Sequence, residues 1–99
     1  MRSGISISKI NDMVSSAGGS NWTLQGEYNS VTNLTVNECN EILFIMFIND
    51  ITVMPVVISY DAFYTCADIR ASESYQITKQ INTNKIDNFI GSKLKIYTR

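Results

Sequence analysis

Residues 41–48 read Glu-Ile-Leu-Phe-Ile-Met-Phe-Ile, the most apolar run in the chain. It is far too short to span a bilayer. Asn37-Glu38-Cys39-Asn40 precedes it and Asn49-Asp50 follows, both turn-forming sequences, so the run reads as a strand. Alternate side chains of a strand point to opposite faces. Ile42, Phe44, Met46 and Ile48 therefore share one face, and Leu43, Ile45 and Phe47 the other. A strand of a two-layer sandwich is expected to be apolar on one side only. Here both sides are apolar. One set can fill a core; the other must be covered, since a bare apolar strand face invites aggregation. Of the two ways to cover it, burial against other subunits is the preferred reading, with Ile42, Phe44, Met46 and Ile48 as the oligomer interface. The alternative is cover by the N-terminal helix or a loop of the same chain. Such burial would contribute on the order of 5–10 kcal/mol before entropy costs.

Short strands and turns continue on both sides of this run. Asn49-Asp50 predicts a hairpin turn, and Ile51 to Tyr60 the returning strand. Pro55 lacks an amide donor, which places that strand at a sheet edge or at a bulge. Upstream, Trp22, Leu24, Gly26 and Tyr28 fall on one face of a strand, and Leu34-Thr35-Val36 forms another. Downstream, Asp61 to Ala67 reads as irregular or a short strand. Tyr75, Ile77, Lys79 and Ile81 alternate with Gln76, Thr78 and Gln80, Lys79 being the exception on an otherwise apolar face. Lys85 to Ile90 and Lys93 to Arg99 follow, separated by Gly91-Ser92. The expected fold is all-β: a β-sandwich or jelly-roll-like domain of antiparallel strands. Only the start differs. Ile10, Met13 and Val14 lie at helical spacing after Ser8, a candidate N-cap, and Gly18-Gly19 would end the helix. Residues 1–20 are therefore expected to be a helical lead and linker, and residues 21–99 the sandwich. No segment after Ser20 shows a helical stripe.

Composition narrows the function classes. The 99 residues carry a net charge of −1 and contain no histidine. The commonest general base and the Ser-His and Cys-His nucleophile pairs are thereby missing, and no nucleotide-binding or hydrolase motif occurs. The expectation is a non-enzyme, without cofactor or metal. Paired-carboxylate chemistry remains only formally open, for instance through Glu27 and Glu41, as does calcium in Asp/Asn-rich loops. The near-neutral balance, with no basic patch interleaved with aromatics, speaks against nucleic acid. Met1-Arg2-Ser3-Gly4 leads into a polar stretch rather than an apolar signal region, and membrane insertion is not expected. Cys39 and Cys66 match no metal spacing and read as small buried hydrophobes, with a disulfide as the alternative. The last part of the chain is basic, with Lys79, Lys85, Lys93, Lys95 and Arg99 against Asp87 alone. It reads as solvated strand faces, or alternatively as a subunit contact or anionic patch.

Aromatic side chains are the remaining recognition chemistry. Tyr60, Asp61, Phe63 and Tyr64 cluster in an expected loop. An aromatic face beside polar groups suits sugar binding, because the ring stacks on pyranose C–H groups. These four are the expected ligand contacts. The competing reading is a loop that plugs one end of the sandwich.

Trp22-Thr23-Leu24-Gln25-Gly26, then Leu34-Thr35-Val36-Asn37-Glu38-Cys39-Asn40-Glu41-Ile42-Leu43, and finally Leu94-Lys95-Ile96-Tyr97-Thr98-Arg99 together resemble the C-terminal β-sandwich domains of phage and prophage tail-fibre, head-fibre and receptor-binding proteins. The resemblance covers residues 22–99. It implies a homo-oligomer, commonly a trimer, that binds a cell-surface glycan or host protein and resides on the virion. It supplies no strict binding residues. The alternative is a stand-alone small phage protein in the bacterial host cytoplasm that inhibits a defence factor or sequesters a small-molecule signal.

Overall fold

A computed structural model describes residues 21–49, 52–73 and 75–99; the helix and linker expected over 1–20 lie outside them. Among the described residues, eight strands and one short helix follow in chain order: β1 Thr23–Tyr28, β2 Leu34–Thr35, β3 Glu41–Phe47, β4 Val53–Ser59, α1 Tyr60–Thr65, β5 Asp68–Ser72, β6 Tyr75–Lys79, β7 Lys85–Ile90 and β8 Lys93–Thr98. All strand pairs are antiparallel. They form two sheets, ordered β1-β8-β3-β4 and β2-β7-β6-β5. The fold is an all-β sandwich. The first strand pairs with the last and the second with the penultimate, as in a jelly roll. The middle departs from that pattern, because β3–β4 and β5–β6–β7 remain as hairpins within one sheet.

β3 sits inside its sheet, between β8 and β4, and its apolar alternation builds two clusters. Ile42, Phe44 and Met46 point between the sheets and are 0% exposed, packed with Phe63, Ile77, Ile86, Leu94 and Ile96. Ile48 is half-buried against the same cluster. This corrects the interface expected at Ile42, Phe44, Met46 and Ile48. The second sheet already covers that face, so no partner can reach the first three without opening the sandwich. The opposite set is sealed as well: Leu43 and Ile45 are 0% exposed and Phe47 5%, with Trp22, Val53 and Tyr97 packed on them. The premise that one face of this strand needs a second subunit therefore falls.

Pro55 lies opposite Ile45 on β4, which is an edge strand, as a residue without an amide donor requires. Trp22 and Tyr28 do not share a face. A bulge between Leu24 and Gly26 shifts the register of β1, and so Tyr28 joins the between-sheet cluster while Trp22 joins the outer one. Gln25 bridges the sheets: its Nε2 donates to the Thr35 carbonyl at 3.0 Å, and its Oε1 accepts from the Asn37 amide at 2.8 Å. At the crossing from β7 to β8, Gly91 takes φ 150°, and the Ser92 amide donates to the Phe47 carbonyl at 2.7 Å.

Two segments differ from expectation. Residues 60–65 are helical, and residues 68–72 form a strand, β5, that the sequence pattern does not reveal. The helix starts because the Ser59 hydroxyl accepts from the Ala62 amide at 3.2 Å, with Asp61 in the first turn. It lies in the crossing from β4 to β5 and closes one end of the sandwich.

Candidate functional site

The closed end is built around α1. Of the four expected ligand contacts, Phe63 is fully buried, its ring 5.6 Å from that of Phe44. For this residue the plug is the observed role, and a ligand cannot touch it. Tyr64 is 40% exposed and Asp61 is exposed. Tyr60 is half-buried, its ring 6.2 Å from Tyr64 and tilted by 34°. The helix thus drives one aromatic inward and leaves Tyr64 and Asp61 facing solvent, with Tyr60 supporting the Tyr64 ring.

Lys79 explains why this end keeps its shape. A six-residue helix is marginal by itself, and its last turn contains no basic residue. Lys79 supplies the charge from β6. It is 5% exposed. Its ammonium donates to the carbonyls of Tyr64 at 3.1 Å, Cys66 at 2.9 Å and Gln80 at 2.8 Å. It also lies 4.9 Å from the centre of the Phe63 ring. The three donors of an ammonium are all used, and the charge meets the negative end of the helix dipole. Burial lowers the affinity of Lys79 for its proton, while Cys66 and Asp87 act in the opposite direction. The exception in the β6 alternation is therefore a fastener that ties α1 to the β6–β7 turn.

That turn brings further residues to the same end. The Thr83 amide donates to the Tyr64 carbonyl at 3.2 Å, beside Asn82 at φ 61°. Ile81, 59% exposed, is carried on the same turn. Asn84 donates to the Val36 carbonyl at 3.0 Å and acts on the Tyr60 hydroxyl at the same end. Burial pushes the Tyr60 hydroxyl up, Asn84 works against this, and Glu38 adds to it. The Tyr60 amide donates to the Asn40 carbonyl at 2.9 Å. The exposed surface thus combines Tyr64, Ile81 and Asp61. Ile81 and Asn84 are remote from α1 in sequence. The period-two pattern of β6 points to the first, and Asn82-Thr83-Asn84 marks the second as a turn residue without placing it at this end.

The late cations do not gather into one patch. Lys93 and Lys95 lie 3.9 and 3.5 Å from Glu27, and Arg99 lies 2.8 Å from Glu41. Arg99 also stacks on Trp22, at 4.2 Å from the ring centre. Glu27 and Glu41 are each engaged by their own cations. Cys39 and Cys66 are free thiols, and burial raises the pKa of both. Among the described residues no cluster of histidine, cysteine or carboxylate groups is arranged to hold a metal ion, and no helix is long and apolar enough to cross a membrane.

No protein-family model, no curated protein and no solved structure matches the chain.

Proposed function

We propose that this chain is a non-catalytic recognition domain of a phage-type fibre or virion-surface protein, and that it meets a host-surface receptor or glycan through the end closed by α1. The observation that carries the reading is the locked presentation of Tyr64. An exposed aromatic ring beside a carboxylate is held on a helix whose last carbonyls are fixed by a buried ammonium. A rigid aromatic contact loses little entropy on binding. The sandwich supplies the scaffold, and the resemblance of residues 22–26, 34–43 and 94–99 to fibre domains supplies the context. A non-catalytic role agrees with the absence of histidine and with the separate pairing of Glu27 and Glu41. A homotrimer, if formed, must use surfaces other than the inward face of β3.

Adhesion of the fluorescently labelled chain to a panel of bacterial strains tests this reading. The wild-type chain should decorate particular strains, and Tyr64→Ala should lose that adhesion at unchanged stability. Failure of the wild-type chain to adhere to any strain, or full adhesion by the variant, contradicts it.

A further inference from the structure

We infer that β4 is a latent seam for a second copy of this chain, and that Pro55 is the residue that keeps it shut. The inference is independent of the receptor-binding reading, since it concerns the free edge of the β1-β8-β3-β4 sheet.

A free sheet edge carries unpaired amides and carbonyls that invite another strand. Among the described strands, β1 and β4 are the edges of one sheet and β2 and β5 those of the other. Three of these are blunted. β1 carries Glu27 and a bulge, and Gln25 ties it to Thr35 and Asn37. β2 has only two residues. β5 carries Asp68, Arg70 and a bulge of its own. By contrast, β4 has seven residues, no charge and an unbroken register with β3. Apolar side chains flank it on both faces: Met54, opposite Met46, is 40% exposed, and Val57, opposite Leu43, is 42% exposed.

The hydrogen-bond phase of the β3–β4 pair fixes which groups reach that edge. The Ile48 amide donates to the Thr52 carbonyl and the Tyr60 amide to the Asn40 carbonyl, both at 2.9 Å. Facing residues of an antiparallel pair alternate between bonded and non-bonded positions. Met54, Val56 and Ile58 therefore turn their main-chain groups toward β3, while Val53, Pro55, Val57 and Ser59 turn theirs outward. Pro55 costs its own sheet no hydrogen bond, and the donor it lacks is missing from the free edge.

A second copy fits this edge because the strand is uncharged and so does not repel itself. Two β4 strands running antiparallel about Val56 would set Val53 opposite Ser59 and Pro55 opposite Val57, a self-complementary contact. Val57 of each copy could donate to the Pro55 carbonyl of the other. No donor would return, and the proline ring would stand in its place on either side of the axis.

Molar mass by light scattering over a range of chain concentrations tests the seam. Pro55→Val and, as a second variant, Pro55→Thr should at least double the wild-type mass. Self-association should tighten by about tenfold or more, the scale of the amide hydrogen bonds restored. Adding Val57→Pro to the Pro55→Val chain removes the next outward donor without adding charge, and should return the wild-type mass. Folded Pro55 variants of unchanged mass overturn the inference. So does a mass increase that survives Val57→Pro, which would place the contact elsewhere. Unfolding of both Pro55 variants, read by far-ultraviolet circular dichroism, would contradict the outward placement of the proline nitrogen.

Discussion

The ammonium of Lys79, on β6, donates at 3.1 Å to the main-chain carbonyl of Tyr64, the exposed aromatic of α1. A buried charge is costly unless every donor is satisfied. Here each donor meets a carbonyl, and the Phe63 ring lies against the charge. One side chain thereby fixes both the end of α1 and the start of the β6–β7 turn, the two segments that form the proposed recognition surface.

Phe44→Lys or Met46→Lys should unfold the domain rather than separate subunits. Both side chains are fully buried between the sheets, and an unpaired charge there costs about 4 kcal/mol or more. Val57→Lys, on an exposed edge position, should cost no more than about 0.5 kcal/mol. Far-ultraviolet circular dichroism, read with molar mass from light scattering, separates the cases. A folded Phe44→Lys monomer would contradict the core assignment.

Gly91→Ala should destabilise by roughly 1–3 kcal/mol. The residue sits at φ 150°, and a Cβ would collide with the Phe89 ring and come within 2.8 Å of the Phe47 carbonyl oxygen. Because this turn joins the two sheets, the loss should appear as a lower urea midpoint with an unchanged slope.

Arg99→Lys should disturb the domain more than a like-charge exchange suggests. The guanidinium holds Glu41 through two nitrogens, each at 2.8 Å, and stacks on Trp22. Lysine keeps the charge and loses the fork and the plane. The expected cost is about 1 kcal/mol. A shift in the emission of Trp22, the single tryptophan, should accompany it.

Stability should fall as pH rises above about 9. Burial holds the protons of Cys39, Cys66, Tyr60 and Tyr97 beyond their ordinary values of 9.0 for the thiols and 10.0 for the phenols. For each, the native state keeps its proton longer than the unfolded chain does. The associated stability is complete below the ordinary value and is lost as pH climbs through the native one. Lys79 acts oppositely. Its native value lies below 10.5, so rising pH relieves a burial penalty. The thiols and phenols predict a melting temperature that declines from pH 9 to 10.5 under reducing conditions, with Lys79 reducing the decline. Cys39→Ala combined with Cys66→Ala should move the onset toward pH 10.

The sandwich is legible in the alternation of residues 42–48, in the turn sequences around it and in Pro55, because these signals belong to single strands. What covers each face of β3 is decided by sheet order, a relation between distant segments, and so alternation alone does not distinguish the inward set from a contact surface. The bulge in β1 is set by pairing with β8 and is invisible in the alternation of Trp22, Leu24, Gly26 and Tyr28. The α1 helix has six residues, too few to show a stripe, and its only local marks are Ser59 and Asp61. β5 buries only Ile69 among its five residues, which leaves no period to detect. The aromatic cluster was readable as residues, but its division into a buried Phe63 and an exposed Tyr64 required the helix. Lys79 stood out as an anomaly whose reason lies fifteen residues away, at Tyr64.

Native-state amide hydrogen exchange on Lys79→Met probes the fastening of α1 most directly. The account predicts that the Cys66 amide, which bonds back to Ala62 and Phe63, and the Thr83 amide lose protection by about tenfold or more, the equivalent of one charge-assisted hydrogen bond. Amides of β3 and β8 should stay closer to their wild-type protection. Unchanged exchange at Cys66 and Thr83 would show that the helix end holds without the ammonium, and would contradict the account.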